Sequence, residues 1–212
     1  MRAQLERAIG EADSRQTLRA VGKLRVAGPN GSGKIKQVIL VERPARLRLE
    51  SLNVLGQAAT LLVTDGERYS FFDGKTLDGG AVSSEVLHDR LGLAFAPAEA
   101  ADALLATPKP VVWPPRAILA RGAEREVSFV DQNLRFGDDG ELEAIESLDG
   151  SGEIRWTAEY AAWRDVPGGR YPFSVVFWFP ETKLRAELEL SAVELNPQLE
   201  ASLFRVGGGA IP

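Results

Sequence analysis

Two hydrophobic periods alternate along the chain, and the switches between them mark its elements. Residues 3–13 place Leu5, Ala8, Ile9 and Ala12 at i, i+3, i+4 and i+7, the stripe of a short amphipathic helix. From Thr17 the period becomes two. Leu18–Val26 and Ile35–Glu42 read as strands on either side of the glycine-rich Gly28–Lys34, and Ala45–Leu52, Ala58–Thr64 and Arg68–Phe72 follow with short links. Asp65-Gly66 between alternating runs is a hairpin signal. Short links between successive strands imply an antiparallel meander.

The middle of the chain differs. Ser84–Leu91 and Pro97–Ala106 read as two short helices, the second with proline at a helix start. Pro108, Pro110, Pro114 and Pro115 exclude regular structure around Val111-Val112-Trp113. Strands resume at Glu126–Asp131, Gln132–Gly137, Glu141–Leu148, Glu153–Trp163, Tyr171–Pro180 and Lys183–Leu195. Asp138-Asp139-Gly140, Asp149–Gly152, Pro167–Gly169 and Pro180–Thr182 supply the turns. Lys183–Leu190 alternates a wet face with a dry one, and the phase slips at Ser191-Ala192, as a β-bulge would require. The count is about eleven antiparallel strands, which curl into a strongly twisted sheet or barrel. The mid-chain helices then lie across its concave face. The expected fold is one α+β domain over residues 1–212: a helix at 1–13, strands at 17–73, lid helices at 84–106 and strands at 126–195.

Composition narrows the function. With 44% hydrophobic and 26% charged residues the chain is an ordinary globular one. A chain this long buries roughly 70% of its unfolded surface and needs no metal or disulfide. It contains no cysteine and one histidine, His88, which excludes thiolate chemistry, iron–sulfur clusters and any site needing two imidazoles. A net charge of −5 and a pI near 5.1 argue against a nucleic-acid partner. No apolar run approaches the ~18 residues of a membrane-spanning helix. The polar N-terminus has no signal-peptide core, so a cytoplasmic protein and a mature region without its signal fit equally.

Gly28–Lys34 matches G-x-x-x-x-G-K, the phosphate loop of nucleotide triphosphatases. That loop needs a Ser or Thr after the lysine and a helix beyond it. Here Ile35 follows and the pattern is strand-like, so a hairpin is expected and nucleotide binding is not. His88 beside Asp89 has no nucleophile nearby and reads as a helix-surface residue. Glu187 and Glu189 alternate with Lys183 and Arg185 as a solvated sheet face. No catalytic group, metal site or cofactor is expected.

Large apolar residues repeat on the strands: Leu47 and Leu49, Leu61 and Val63, Tyr69 and Phe71, Ile154 and Trp156, then Phe173, Val175, Phe177 and Leu188. A packed β core and a ligand cavity fit this pattern alike. Val54, Leu55 and Gly56 form an apolar hairpin tip, which either folds back on the helices or meets a partner surface.

From about Gly22 to Val206 the chain resembles the LolA/LolB-like lipoprotein carriers of the bacterial envelope. The resemblance rests on the strand pair before Pro44–Glu50, on Asn53–Gln57, on the Asp-Gly hairpin with Phe72-Asp73-Gly74, and on the helices at 84–106. Gly168–Pro172 and Val193–Phe204 complete it. It implies an unclosed antiparallel half-barrel of about eleven strands with helices as a lid, holding acyl chains without cofactor or catalysis. The twelve apolar residues named above would then line the cavity. In the LolB branch a Pro-Leu-Gly loop presents a leucine to the membrane; here Val54-Leu55-Gly56 stands in its place, a valine replacing the proline. The implied partners are acyl chains of lipoproteins or other lipids, the inner leaflet of the outer membrane and a soluble carrier protein. The implied place is the periplasmic side of the envelope, anchored to the outer membrane. LolB-like members are anchored through an N-terminal cysteine that this chain lacks. Soluble LolA carriers and the anti-sigma regulators of the same fold are the other relatives implied, the latter acting as sensors or scaffolds through protein contact.

Overall fold

The period-two segments pair into one antiparallel sheet of thirteen strands. A computed structural model describes residues 2–29, 31–53, 55–121 and 124–205, without the side chains of 2–5, 7, 121 and 124. After helix α1 (Arg2–Asp13) come β1 (Thr17–Gly28), β2 (Gly31–Glu42), β3 (Arg46–Leu52), β4 (Ala58–Thr64), β5 (Arg68–Phe72) and β6 (Leu77–Ala81). Helices α2 (Val86–Leu91) and α3 (Pro97–Leu104) follow. The second run is β7 (Ala117–Arg121), β8 (Glu124–Ser128), β9 (Gln132–Phe136), β10 (Leu142–Leu148), β11 (Ile154–Val166), β12 (Gly169–Phe179) and β13 (Leu184–Leu195), then a 3-10 turn at Ala201–Phe204. Each run is a meander. They meet where β1 pairs with β13, leaving β6 and β7 as unpaired edges, so the sheet is unclosed.

Sequence periodicity anticipates eleven of these strands. β6 (Leu-Asp-Gly-Gly-Ala) and β7 escape it because both are short, largely exposed edge strands held by a single neighbour, with no buried face to impose alternation. β8 begins and ends earlier than the Glu126–Asp131 expected. Phe129 N–H donates to Gln132 O at 2.8 Å and closes a turn over residues that pattern as strand. The expected bulge is present: Val21 pairs with Ala192 and Gly22 with Leu190, leaving Ser191 over. A Cβ at Gly22 would lie 2.5 Å from the Glu189 carbonyl oxygen, so the bulge demands glycine there. Gly28–Lys34 is the β1–β2 hairpin, with Gly28 opposite Gly31 and Arg25 opposite Lys34. No helix follows Lys34, and the amide cradle of a phosphate loop does not form. The turn residue Asn30 lies outside the described residues.

The concave face carries the main core, running from Leu18 and Ile39 to Phe177 and Leu188. The convex face carries a second, smaller cluster of Leu40, Leu61, Val63 and Phe204, flanked by Phe72, Leu199 and Leu203. This corrects the reading of Leu61 and Val63 as cavity residues. Strand β4 is apolar on both sides (Leu61-Leu62-Val63), so alternation alone cannot choose its face; Leu62 points into the concave core and its neighbours point away. Phe204 covers them from the C-terminal segment and is 1% exposed. Phe204→Ala is expected to cost about 3 kcal/mol or more of stability by opening a cavity on this face. Denaturant unfolding measures it, and a loss below about 1 kcal/mol would mean the segment does not pack there in solution.

Candidate functional site

Helix α3 lies within the sheet's concavity, and its composition permits that position. Pro97, Ala100, Ala101, Ala103 and Leu104 are all buried, so small side chains meet the sheet on most of the helix surface. Both ends are tied. At the N-terminal end Glu99 accepts a bond from its own cap residue, Ala96 N–H, at 3.1 Å. Its carboxylate also pairs with Arg155 at 2.7 Å and Lys109 at 3.1 Å. At the other end the carbonyls that a helix leaves unpaired are taken by side chains of the sheet. Tyr160 Oη donates to Ala103 O at 2.8 Å and Tyr171 Oη donates to Leu104 O. Arg15, just before β1, donates to Ala106 O at 2.8 Å. Arg43 holds the helix flank through Asp102, Nε to Oδ1, at 2.9 Å.

Burial raises the pKa of both tyrosines, so they act here as hydrogen-bond donors. Burial also raises Asp102, against the opposing Arg43 charge. Glu99 goes the other way. Burial pushes it up, but the Arg155 bond, the Ala96 N–H and the charges of Arg155 and Lys109 outweigh that and lower it.

Ahead of α3, Phe95 plugs the concavity. Its ring meets Trp156, Phe177 and Phe179 edge-on, with centroids 5.1, 5.5 and 4.7 Å away. Helix α2 is held more lightly: Arg90 donates to Tyr69 Oη at 2.9 Å and pairs with Asp78.

Between these helices and β1–β3 lies an apolar cavity of about 300 Å³. That is at the small end of the ~300–1,000 Å³ usual for small-molecule sites. Leu24, Ile35 and Ile39 form its sheet wall with Leu49, while Leu87, Leu91 and Leu104 roof it. Of the residues expected from sequence, Leu49, Phe177 and Leu188 line it directly. Leu47, Trp156 and Val175 are buried deeper in the same core, which also contains Phe173, while Tyr69 and Phe71 pack at its margin. Leu61 and Val63 lie on the far face.

Ile154 needs a second correction, since it is 42% exposed. Trp156 pairs with Ser147 but Ile154 pairs with Leu148, so Arg155 is an extra residue and the alternation from Trp156 does not extend back. Ile154 sits instead on the wall of a wider groove of about 740 Å³ with Glu85, His88, Asp149, Glu153 and Arg155. That groove mixes these charged groups with the apolar Ala94, Phe95 and Pro180. Among the described residues no group of three or more His, Asp or Glu could hold a metal ion.

The lid contributions were invisible to strand periodicity, because Leu87, Leu91 and Phe95 come from a short helix and a link. A usable signal was present in β2, where Gln37 interrupts Ile35, Ile39 and Val41 on an otherwise dry face. Gln37, Ser51 and Thr60 all line the cavity.

The hairpin tip stands clear of the helices, with Leu55 79% exposed. Asn53 organises it: its Oδ1 accepts from Leu55 N–H at 2.9 Å and Gln57 N–H at 3.0 Å. The side chain of Asn53 thereby closes the tip with two hydrogen bonds. Gly56 has φ 79°, which glycine adopts without strain. Val54 lies outside the described residues. The β1–β2, β3–β4 and β12–β13 turns share one end of the sheet. The cavity lining reaches Val26, two residues from the first of these turns, so it occupies the half toward Leu55.

Ionised Glu99 contributes stability that is in place above its ordinary pKa of 4.5 and is lost as pH falls through the lowered folded value. Glu99→Gln is expected to lower the melting temperature at pH 7, with the gap to wild type closing as pH falls progressively below 4.5. Thermal melts across a pH series check this, and a gap independent of pH contradicts it.

No protein-family model matches the chain, and no curated protein matches it in sequence. Solved structures do. A LolA superfamily protein from Nitrosomonas europaea superposes with a TM-score of 0.65 at 13% identity, over 95% of this chain and 97% of that one. A domain described as an outer membrane lipoprotein-sorting protein, from Vibrio parahaemolyticus, gives 0.60 at 10% identity over 94% and 97%. A DUF1329 family protein from Desulfovibrio piger gives 0.60 at 8% identity over 96% of each chain. At these identities the likeness is one of architecture, and the architecture is shared over nearly the whole length. The chain has the unclosed half-barrel fold of the LolA superfamily.

Proposed function

We propose that the protein is a non-enzymatic carrier or receptor for lipid acyl chains in the bacterial envelope, acting in lipoprotein localisation to the outer membrane. The observation that carries this reading is the cavity. It is apolar, it is roofed by helices rather than filled by them, and none of the described residues lining it is charged. An acyl chain placed there meets Leu24, Ile39 and Leu49 on one side and Leu87 and Leu104 on the other. Leu47, Trp156, Phe173 and Val175 form the wall behind. Loading displaces α2 rather than α3, since α3 is tied at both ends and α2 through Arg90.

The exposed Leu55 supports a LolB-like exit. It is an apolar side chain at the end of the sheet nearest the cavity, on a tip braced by Asn53. In this reading the tip meets the inner leaflet of the outer membrane while a soluble carrier or lipoprotein supplies the cargo. The protein works on the periplasmic side, anchored in its native form.

Each CH₂ taken into the cavity is worth up to about 0.8 kcal/mol, about fourfold in affinity, until the space is filled. Displacement of an uncharged naphthylamine probe by a chain-length series of lipids is expected to show this rise followed by a plateau. Equal affinity for short and long chains would overturn the carrier reading in favour of a scaffold acting through protein contact. Leu55→Glu is expected to load normally and to change stability by under about 1 kcal/mol. Its transfer of a labelled acylated peptide to vesicles is expected to fall about tenfold, since burying a charge at hydrocarbon depth is costly. Unchanged transfer would remove the tip from the mechanism.

A further inference from the structure

The cavity wall is not uniformly apolar. Gln37 on β2 pairs with Ser51 on β3, and Ser51 pairs with Thr60 on β4, so the three form one cross-strand row. The row spans ~10 Å across the strands. Apolar rows flank it, with Ile39, Leu49 and Leu62 on one side and Leu24 and Ile35 on the other.

The hydrogen bonding within this row is incomplete. Gln37 is 4% exposed. Its Oε1 accepts from Ser51 Oγ at 2.8 Å, while among the described residues its Nε2 reaches only Val38 O, at 3.4 Å, too long for a good bond. No bond of the Thr60 hydroxyl is found among the described residues. The other buried amide among the described residues is better held: Gln132 bonds Lys109 through both side-chain atoms, at 3.0 and 2.8 Å. Thr64, Thr107 and Ser147 likewise have partners. A buried amide with spare donors in a dry wall is costly unless something supplies acceptors.

We propose that Gln37, Ser51 and Thr60 form a hydrogen-bonding station for an uncharged ester or amide group within an otherwise apolar ligand. The inference rests on the carrier reading and specifies its ligand class. Gln37 Nε2–H and Thr60 Oγ1–H donate to the ligand's carbonyl oxygen, and Ser51 Oγ accepts from an amide or hydroxyl hydrogen where the ligand has one. With no charged side chain among the described lining residues, a free carboxylate or phosphate gains no counter-charge here and is disfavoured. The site therefore selects acyl esters and amides, as in glycerides and acylated peptides, over free fatty acids.

The test compares a long-chain monoacylglycerol with the alkylglycerol ether of equal length, which lacks only the carbonyl. Each is titrated against the bound naphthylamine probe on the intact protein. Wild type is expected to favour the ester about tenfold, the worth of one or two good hydrogen bonds. Gln37→Met and Thr60→Val are each expected to reduce that preference with probe binding retained. The melting temperature of Gln37→Met is expected to be unchanged or higher, because an apolar side chain of similar size replaces an undersatisfied amide. Equal affinity of wild type for ester and ether, with the probe still bound and displaced by both, overturns the station and leaves the carrier reading standing. So does a Gln37→Met variant that melts lower yet keeps the ester preference, since Gln37 would then serve the fold alone. Failure of wild type to bind probe or either glyceride overturns both readings.

Discussion

The structure depends on fixing a short, alanine-rich helix inside a sheet that does not close. An antiparallel sheet of thirteen strands curls, and its concave face is apolar along almost every strand. Closure would seal that face as a barrel; here β6 and β7 remain free edges, so helices must cover it. Helix α3 can do so because its side chains are small. Its terminal carbonyls, buried with it, find donors in Tyr160 and Tyr171, and Arg15 takes the Ala106 carbonyl just beyond. Without those donors the helix end would leave unpaired polar groups in a dry interior. A helix held at both ends sets a fixed distance to the sheet. The space beside it, under α2 and the Phe95 link, is the cavity.

The remaining features serve that arrangement. The β1–β13 pairing joins the two meanders at the middle of the sheet, and the bulge at Ser191 lets β13 change face there. Leu188 thus faces the concavity on one side of the bulge and Val193 and Leu195 face it on the other. On the convex side Phe204 and its neighbours cover Leu40, Leu61 and Val63, which would otherwise form an exposed apolar patch. Glu99 links α3 to β11 through Arg155 and to the segment that follows the helix through Lys109.

Much of the architecture was legible because alternation and turn chemistry agree along most of the chain. The hairpins at Asp65-Gly66 and Asp149–Gly152 and the phase slip at Ser191 are local signals that survive folding intact. Faces were less legible than strands. Leu61 and Val63 misled because β4 is apolar on both sides, and Ile154 misled because the bulge at Arg155 breaks the phase. The roof residues were illegible for a different reason: Leu87, Leu91 and Phe95 reach the cavity through tertiary placement of short segments that carry no period of their own. Gln37 was the informative exception. A polar residue breaking a dry face is readable in sequence, but only the cross-strand register shows that Ser51 and Thr60 complete its row.

In the carrier reading an acyl chain lies beside α3, between the sheet and the roof made by α2 and the Phe95 link. The most direct measurement is photo-crosslinking with a monoacylglycerol carrying a diazirine near its chain terminus, followed by peptide mapping of the adducts. Adducts are expected on cavity residues such as Leu24, Ile39, Leu49, Phe95 and Leu188, competed away by unlabelled lipid. Adducts confined to the convex face around Leu40 and Phe204, or to the wider groove beside His88, would contradict the carrier reading.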